Sequence, residues 1–171
     1  MATTYTILDK TTLTSQQSSV SFTGLGAYSS DYTDLLLMLS IRQSNVAEWC
    51  YINFNSSSSS YTNLQLYGTG SGAAPDSGST PWAGANNYSN STANTFANTS
   101  VYIPNFSSSN YKSISYDGVQ ENNTTTAFSV LGGTLWSNTS AITSITLYAQ
   151  SAPSQGFVSG SSFYLYGIKN S

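Results

Sequence analysis

Asp34-Leu35-Leu36-Leu37-Met38-Leu39-Ser40-Ile41-Arg42 is the longest apolar run in the chain. Apolar residues occupy both parities, Leu35/Leu37/Leu39/Ile41 and Leu36/Met38. A strand with one wet face alternates apolar and polar, so the run predicts a central strand covered on both faces, at least in its middle. Leu and Met are also good helix formers. The run is short, however, with Tyr32-Thr33 before it and Gln43-Ser44-Asn45 after it, and no amphipathic stripe extends it either way. Length therefore favours the strand.

Working outward, the chain reads as short strands between polar loops. Thr4–Leu8 is a candidate first strand, and residues 1–15 form either that strand or an N-terminal arm. Ser19–Phe22 alternates and ends at Gly24-Leu25-Gly26. Trp49–Phe54 places Cys50, Ile52 and Phe54 on one face and Trp49 and Tyr51 on the other. Asn55–Ser60 has nothing to bury and predicts a loop. Leu64–Tyr67, Ser100–Ile103, Tyr111–Tyr116, Ala127–Leu131, Ile142–Tyr148 and Ser162–Ile168 follow as strands. Asp117-Gly118 reads as a turn and Gly132-Gly133 as a strand end. Leu135-Trp136 would be a short extension. Gly68 to about Asn98 shows no strand pattern and predicts one long loop, a length usually tied to function. The sum is a single all-β domain over 1–171, an antiparallel jelly-roll-like β-sandwich of about eight to ten short strands.

Composition agrees. Charged residues are 6% of the 171, against about a quarter in an ordinary soluble domain. Ser and Thr make up roughly a third of the chain, which favours strands and turns over helices. Aromatics at 13%, with 13 Tyr, argue against disorder. Net charge is -3. Lys10, Arg42, Lys112 and Lys169 are scattered and assemble no basic patch, so nucleic acid is not an expected partner. No run of about 18 apolar residues predicts a membrane span. Met1–Tyr5 has neither a basic head nor an apolar segment, so a chain made in the cytosol is expected.

Chemistry is sparse. The chain has no His, which removes Ser-His-Asp and Cys-His nucleophilic systems. A lone Cys50 beside Trp49, Tyr51 and Ile52 reads as a buried structural thiol, and one Cys without His excludes the usual zinc sites. Neither a phosphate-cradling loop nor a dinucleotide fingerprint is present. Asp9, Asp31, Asp34, Glu48, Asp76, Asp117 and Glu121 could in principle supply a glycosidase pair. Asp31/Asp34 has a calcium-like spacing without further acids nearby and reads as a solvated strand entry. No enzyme activity, metal or cofactor is expected.

Tyr32-Thr33-Asp34-Leu35-Leu36-Leu37, then Ile41-Arg42, Ile52-Asn53-Phe54-Asn55 and Leu66-Tyr67-Gly68-Thr69-Gly70, resembles the first half of small virion structural proteins of tailed phages of marine and freshwater bacteria. Ile103-Pro104-Asn105-Phe106, Tyr111-Lys112, Trp136 with Ala141–Leu147, and the ending Phe157–Ile168 carry the resemblance through the second half. The Ser run after Asn55, where similar sequences often carry Gly-Asp, and the low charge depart from it. The resemblance implies a capsid decoration or cement protein, made in the host cytoplasm and located in the virion. Its expected partners are itself, as a homotrimer, and the major capsid protein or another virion protein. The alternative is a host-recognition module of a tail or head fibre that binds surface glycan through Tyr and Trp faces. Trp82 and Tyr88, in a Gly/Ser/Asn-rich setting, are the expected partner contacts, unless Trp82 folds back to cap its own sandwich.

Overall fold

A computed structural model of the chain describes residues 4–46, 49–121, 123, 127–150 and 154–169. The described strands are β1 (Tyr5–Thr12), β2 (Ser19–Thr23), β3 (Asp34–Ile41), β4 (Trp49–Phe54), β5 (Tyr61–Gly68), β6 (Ala73–Gly78), β7 (Trp82–Ala85), β8 (Ala97–Ile103), β9 (Lys112–Glu121), β10 (Ala127–Trp136), β11 (Ser144–Ala149) and β12 (Ser162–Ile168). They form an eight-stranded sheet, in the order β1-β12-β3-β8-β9-β10-β5-β6, and a four-stranded sheet, β2-β11-β4-β7. Every pairing between them is antiparallel.

The strand order resolves into two parts. β1-β12-β3-β8 opposes β2-β11-β4-β7, and the chain alternates between these two sheets from β1 to β4, from β7 to β8 and from β11 to β12. That is the jelly roll expected from the sequence. The other four strands are two hairpins. β5–β6 is inserted between β4 and β7, and β9–β10 between β8 and β11. The hairpins join through β10 and β5 and extend the larger sheet beyond the jelly roll.

β3 sits centrally in the jelly roll, with Leu37 opposite Leu165 of β12 and Val101 of β8. Leu35, Leu37, Leu39 and Ile41 are buried toward Phe22, Ile52, Phe54, Ile145 and Leu147 of the smaller sheet. Each such side chain contributes about 1.5–3 kcal/mol through burial. The expectation that β3 is covered on both faces fails: Leu36 is half-buried and Met38 is 37% exposed. The smaller sheet covers one face alone, and the outward neighbours of Leu36 and Met38 are Tyr102, Tyr164 and Tyr166 of adjacent strands.

Three further expectations are corrected. The stretch 68–98 contains β6 and β7 and the start of β8, so twelve strands replace the expected eight to ten. β6 lies at the sheet edge with little to bury, which is also why it tolerates Pro75. β7 is Trp-Ala-Gly-Ala, fully buried but with no β-branched residue to signal a strand. Finally, Asp117-Gly118 is no turn and Gly132-Gly133 no end, since β9 and β10 run through both. Gly118 abuts Thr99, where a Cβ would lie 2.6 Å from its Oγ1. Gly132 lies beneath the Tyr116 ring, where a Cβ would fall 2.3 Å from a ring carbon. Both glycines make room for a neighbouring side chain.

Candidate interaction surface

In the inserted hairpins the polarity of the jelly roll changes, and in the middle of β5 it is reversed. In β5 the inward residues are Asn63 and Gln65, both buried, while Leu64 and Leu66 face outward at 66% and 57% exposure. In β10 Thr134 and Trp136 are buried, and Leu131 (63% exposed) and Leu135 face outward. In β9 Tyr116 and Gln120 are buried and Val119 is exposed. Strand alternation puts each set on one face.

Register makes the outward residues contiguous. Leu66 lies opposite Leu131, Leu64 opposite Gly133, and Val119 opposite Ser129, next to Leu131 on β10. Five aliphatic side chains thus share one sheet face and expose roughly 500 Å², the range at which exposed apolar patches on monomers are often functional. Gly133 leaves a pit of about 370 Å³ between Leu64 and Leu135, bordered by Thr62 and Ser113. The one charged residue at an outward position in the middle of these strands is Asp117, which accepts a hydrogen bond from Ser100 Oγ.

The inward face packs Ile114, Phe128, Val130 and Trp136 into the core and adds polar contacts. Tyr116 donates its hydroxyl to Gln65 Oε1 at 3.0 Å, Thr134 Oγ1 donates to the Trp82 carbonyl at 3.0 Å, and Asn63 Nδ2 donates to the Thr80 carbonyl. Gln65 Nε2, Gln120 Oε1 and Trp136 Nε1 are buried without a partner among the described residues, a placement that costs about 1–3 kcal/mol each. Lys112, at the start of β9, is buried with its Nζ donating to the carbonyls of Ser108 (2.8 Å), Asn110 (2.5 Å) and Ser140 (3.1 Å). It staples two loops, and burial pulls its pKa below the ordinary lysine value. Burial pushes the Tyr61 hydroxyl up to about 12 and raises that of Tyr116 as well.

Trp82 is only 8% exposed and stacks on Trp49, with ring centroids 5.6 Å apart. It caps its own sandwich, one of the two alternatives read from the sequence, and leaves little surface for a partner. Tyr88 is half-buried, in a loop pinned by Arg42, whose guanidinium donates to the carbonyls of Thr92 (2.8 Å), Ser91 (3.0 Å) and Thr95 (3.2 Å). The outward aliphatic residues were not singled out from the sequence. The signal was there in Asn63-Leu64-Gln65-Leu66, where the pattern alternates but does not say which parity is inside.

No catalytic or metal constellation assembles among the described residues. No group of three or more Asp, Glu or Cys could hold a metal there. Asp34 accepts hydrogen bonds from Tyr102 Oη at 2.5 Å and Asn105 N at 2.8 Å. Glu121 accepts from Thr92 Oγ1 (2.7 Å), Thr92 N (2.8 Å) and Thr95 Oγ1 (3.0 Å), which hold its carboxyl below the usual range. Glu48 lies outside the described residues. Cys50 is fully buried, and desolvation raises its thiol pKa, the opposite of an activated nucleophile. No helix among the described residues is long and apolar enough to cross a membrane.

The outer face of the smaller sheet differs. It presents the half-buried pair Tyr51 and Tyr148, centroids 5.3 Å apart and edge-on, beside Ser21 and Thr146, whose hydroxyls hydrogen-bond at 2.8 Å. No family model matches the chain, and neither a curated protein nor a solved structure matches it.

Proposed function

We propose that this chain is a structural, adhesive component of a virion, a decoration or cement protein that binds a capsid surface as a homo-oligomer. The observation that carries the reading is the outward aliphatic face of β9, β10 and β5. These strands are not needed to complete the jelly roll, and they carry leucines where a solvated sheet would carry polar residues. A face of that kind suits a protein whose work is contact.

Jelly rolls serve viral capsids, lectins and cupins alike, so the fold alone does not choose among them. The capsid, as partner, and the trimeric state rest on the resemblance to small virion proteins and on the threefold positions that shells offer. The second reading, a fibre module that binds host glycan, draws on Tyr51 and Tyr148 beside Ser21 and Thr146, since aromatic faces flanked by hydroxyls suit sugars. Copy number in purified particles tests both. Hundreds of copies per particle are expected for a shell component, a few to a few dozen would favour the fibre, and absence from particles would remove the virion reading altogether.

A further inference from the structure

We infer that the outward face of β9, β10 and β5 is the surface through which copies of this chain assemble, leucine face against leucine face. This rests on the homo-oligomer reading above but makes the contact a two-fold dimer in place of the trimer. The first argument is the inverted polarity. Burying Asn63 and Gln65 while exposing Leu64 and Leu66 is unfavourable on both faces for an isolated chain. A one-residue slip of β5 would exchange the two sets. The register is nevertheless held along the whole of β5, from Tyr61 opposite Trp136 to Gly68 opposite Ser129. A second apolar surface over the leucines removes half of that penalty.

The second argument is area. Three strands spaced about 4.8 Å apart, each about eight residues long, make a face of roughly 400 Å² in projection. Side-chain relief and the adjoining Tyr102 and Met38, themselves 37% exposed, bring it toward the ~800 Å² per partner of a standard stable interface.

The third is complementarity. The face has knobs, Leu66 and Leu131, directly opposite one another, and one residue pair along the same face a pit over Gly133, opposite Leu64. Knob and pit lie next to each other along the strands. A second copy with its strands reversed therefore sets its Leu131 over the first copy's Gly133, and the same contact recurs from the other side. Charge asks for no other kind of partner. Asp117 is engaged by Ser100, and no Lys or Arg stands on the outward positions of these strands.

The experiment is the solution mass of the full chain by light scattering at tens of micromolar, for wild type, Leu66→Asp, Leu131→Asp and a control, Val46→Asp, at an exposed site off this face. Wild type and control are expected at a multiple of 18.2 kDa. The two leucine variants are expected at 18.2 kDa, with unchanged far-UV circular dichroism. Should Leu131→Asp fail to fold, Leu131→Thr keeps the strand preference and is expected to weaken association at least tenfold. A monomeric wild type, or folded leucine variants that keep the wild-type mass, overturns the inference. If the wild type is monomeric and the leucine variants lose binding to undecorated particles, the face belongs to the capsid, and the virion reading stands while this one falls.

Discussion

The two halves of the larger sheet bury different mixtures of side chains. In the jelly-roll half, β3, β8 and β12 turn Leu35, Leu37, Leu39, Val101, Phe163 and Leu165 inward and leave Tyr102, Tyr164 and Tyr166 toward the outside. In the inserted half, β5, β9 and β10 turn Tyr61, Ile114, Tyr116, Phe128, Val130 and Trp136 inward but set Asn63, Gln65, Gln120 and Thr134 among them, and leave leucines outside. The first half is stabilised by burial without direction. The second adds directed hydrogen bonds to its apolar burial, such as Tyr116 to Gln65 and Thr134 to the Trp82 carbonyl, and leaves its outward leucines unused by the fold. The difference teaches that the inserted strands pair within the chain while leaving an aliphatic surface that the chain itself does not cover.

The largest expected effect lies in the jelly-roll half. Leu37 is fully buried at the centre of β3. Leu37→Ala is expected to cost about 2–5 kcal/mol through lost transfer energy and the cavity left behind, read as a fall in the urea midpoint. A midpoint within error of wild type would show that the centre of the core lies elsewhere.

Next comes the glycine under Tyr116. Gly132→Ala places a Cβ inside the ring's position, so ring or strand must move, at about 1–3 kcal/mol by analogy with overpacked cores. The loss is specific to one neighbour. In a double-mutant cycle with Tyr116→Ala, the second substitution should relieve most of the first. Additive losses would mean that Gly132 is needed for some other reason.

These glycines also mark where the sequence was legible and where it was not. The β3 run, the alternation of β4, β11 and β12 and the turn at Gly24 are local signals, and each lies where its pattern places it. Gly118 and Gly132 are local in appearance only. Their reason is a side chain on the adjacent strand, Thr99 for one and Tyr116 for the other, and no window along the chain contains both partners. β7 escaped because Ala83, Gly84 and Ala85 owe their burial to close approach between sheets, a property of the assembled fold. The outward leucines escaped for a related cause. Alternation in β5 is plain, but which parity faces in depends on β7 lying over β10, which the sequence does not announce.

High pH should act on the inserted half through its buried phenols. Tyr61 of β5 packs on Trp136 and donates to the Ser57 carbonyl at 3.3 Å, and its pKa is pushed up to about 12 by burial. A raised folded pKa means the folded state holds its proton more tightly than the unfolded chain. That stability is complete below the unfolded value near 10 and is lost as pH rises through about 12. The loss is expected at about 1–2 kcal/mol. Urea midpoints should be level from pH 8 to about 10 and then decline. Tyr61→Phe should flatten that decline, and an equally steep decline in the variant would assign the effect to other tyrosines, Tyr116 first.

The smallest expected effect separates the two halves most sharply. Leu66→Thr, measured on dilute monomer, is expected to change stability by less than about 0.5 kcal/mol, the ordinary range for exposed substitutions. Leu66 has the same side chain as Leu37 and also lies mid-strand, yet it is 57% exposed where Leu37 is fully buried. Thr is a good strand former, so backbone preference does not confound the reading. Dilution matters, because any self-association through this face would add binding energy to the apparent stability and make the midpoint depend on concentration. A loss approaching that of Leu37→Ala in the dilute monomer would mean that Leu66 is packed within its own chain. The polarity reversal of β5 would then be removed, and with it the reason to assign the face to contact.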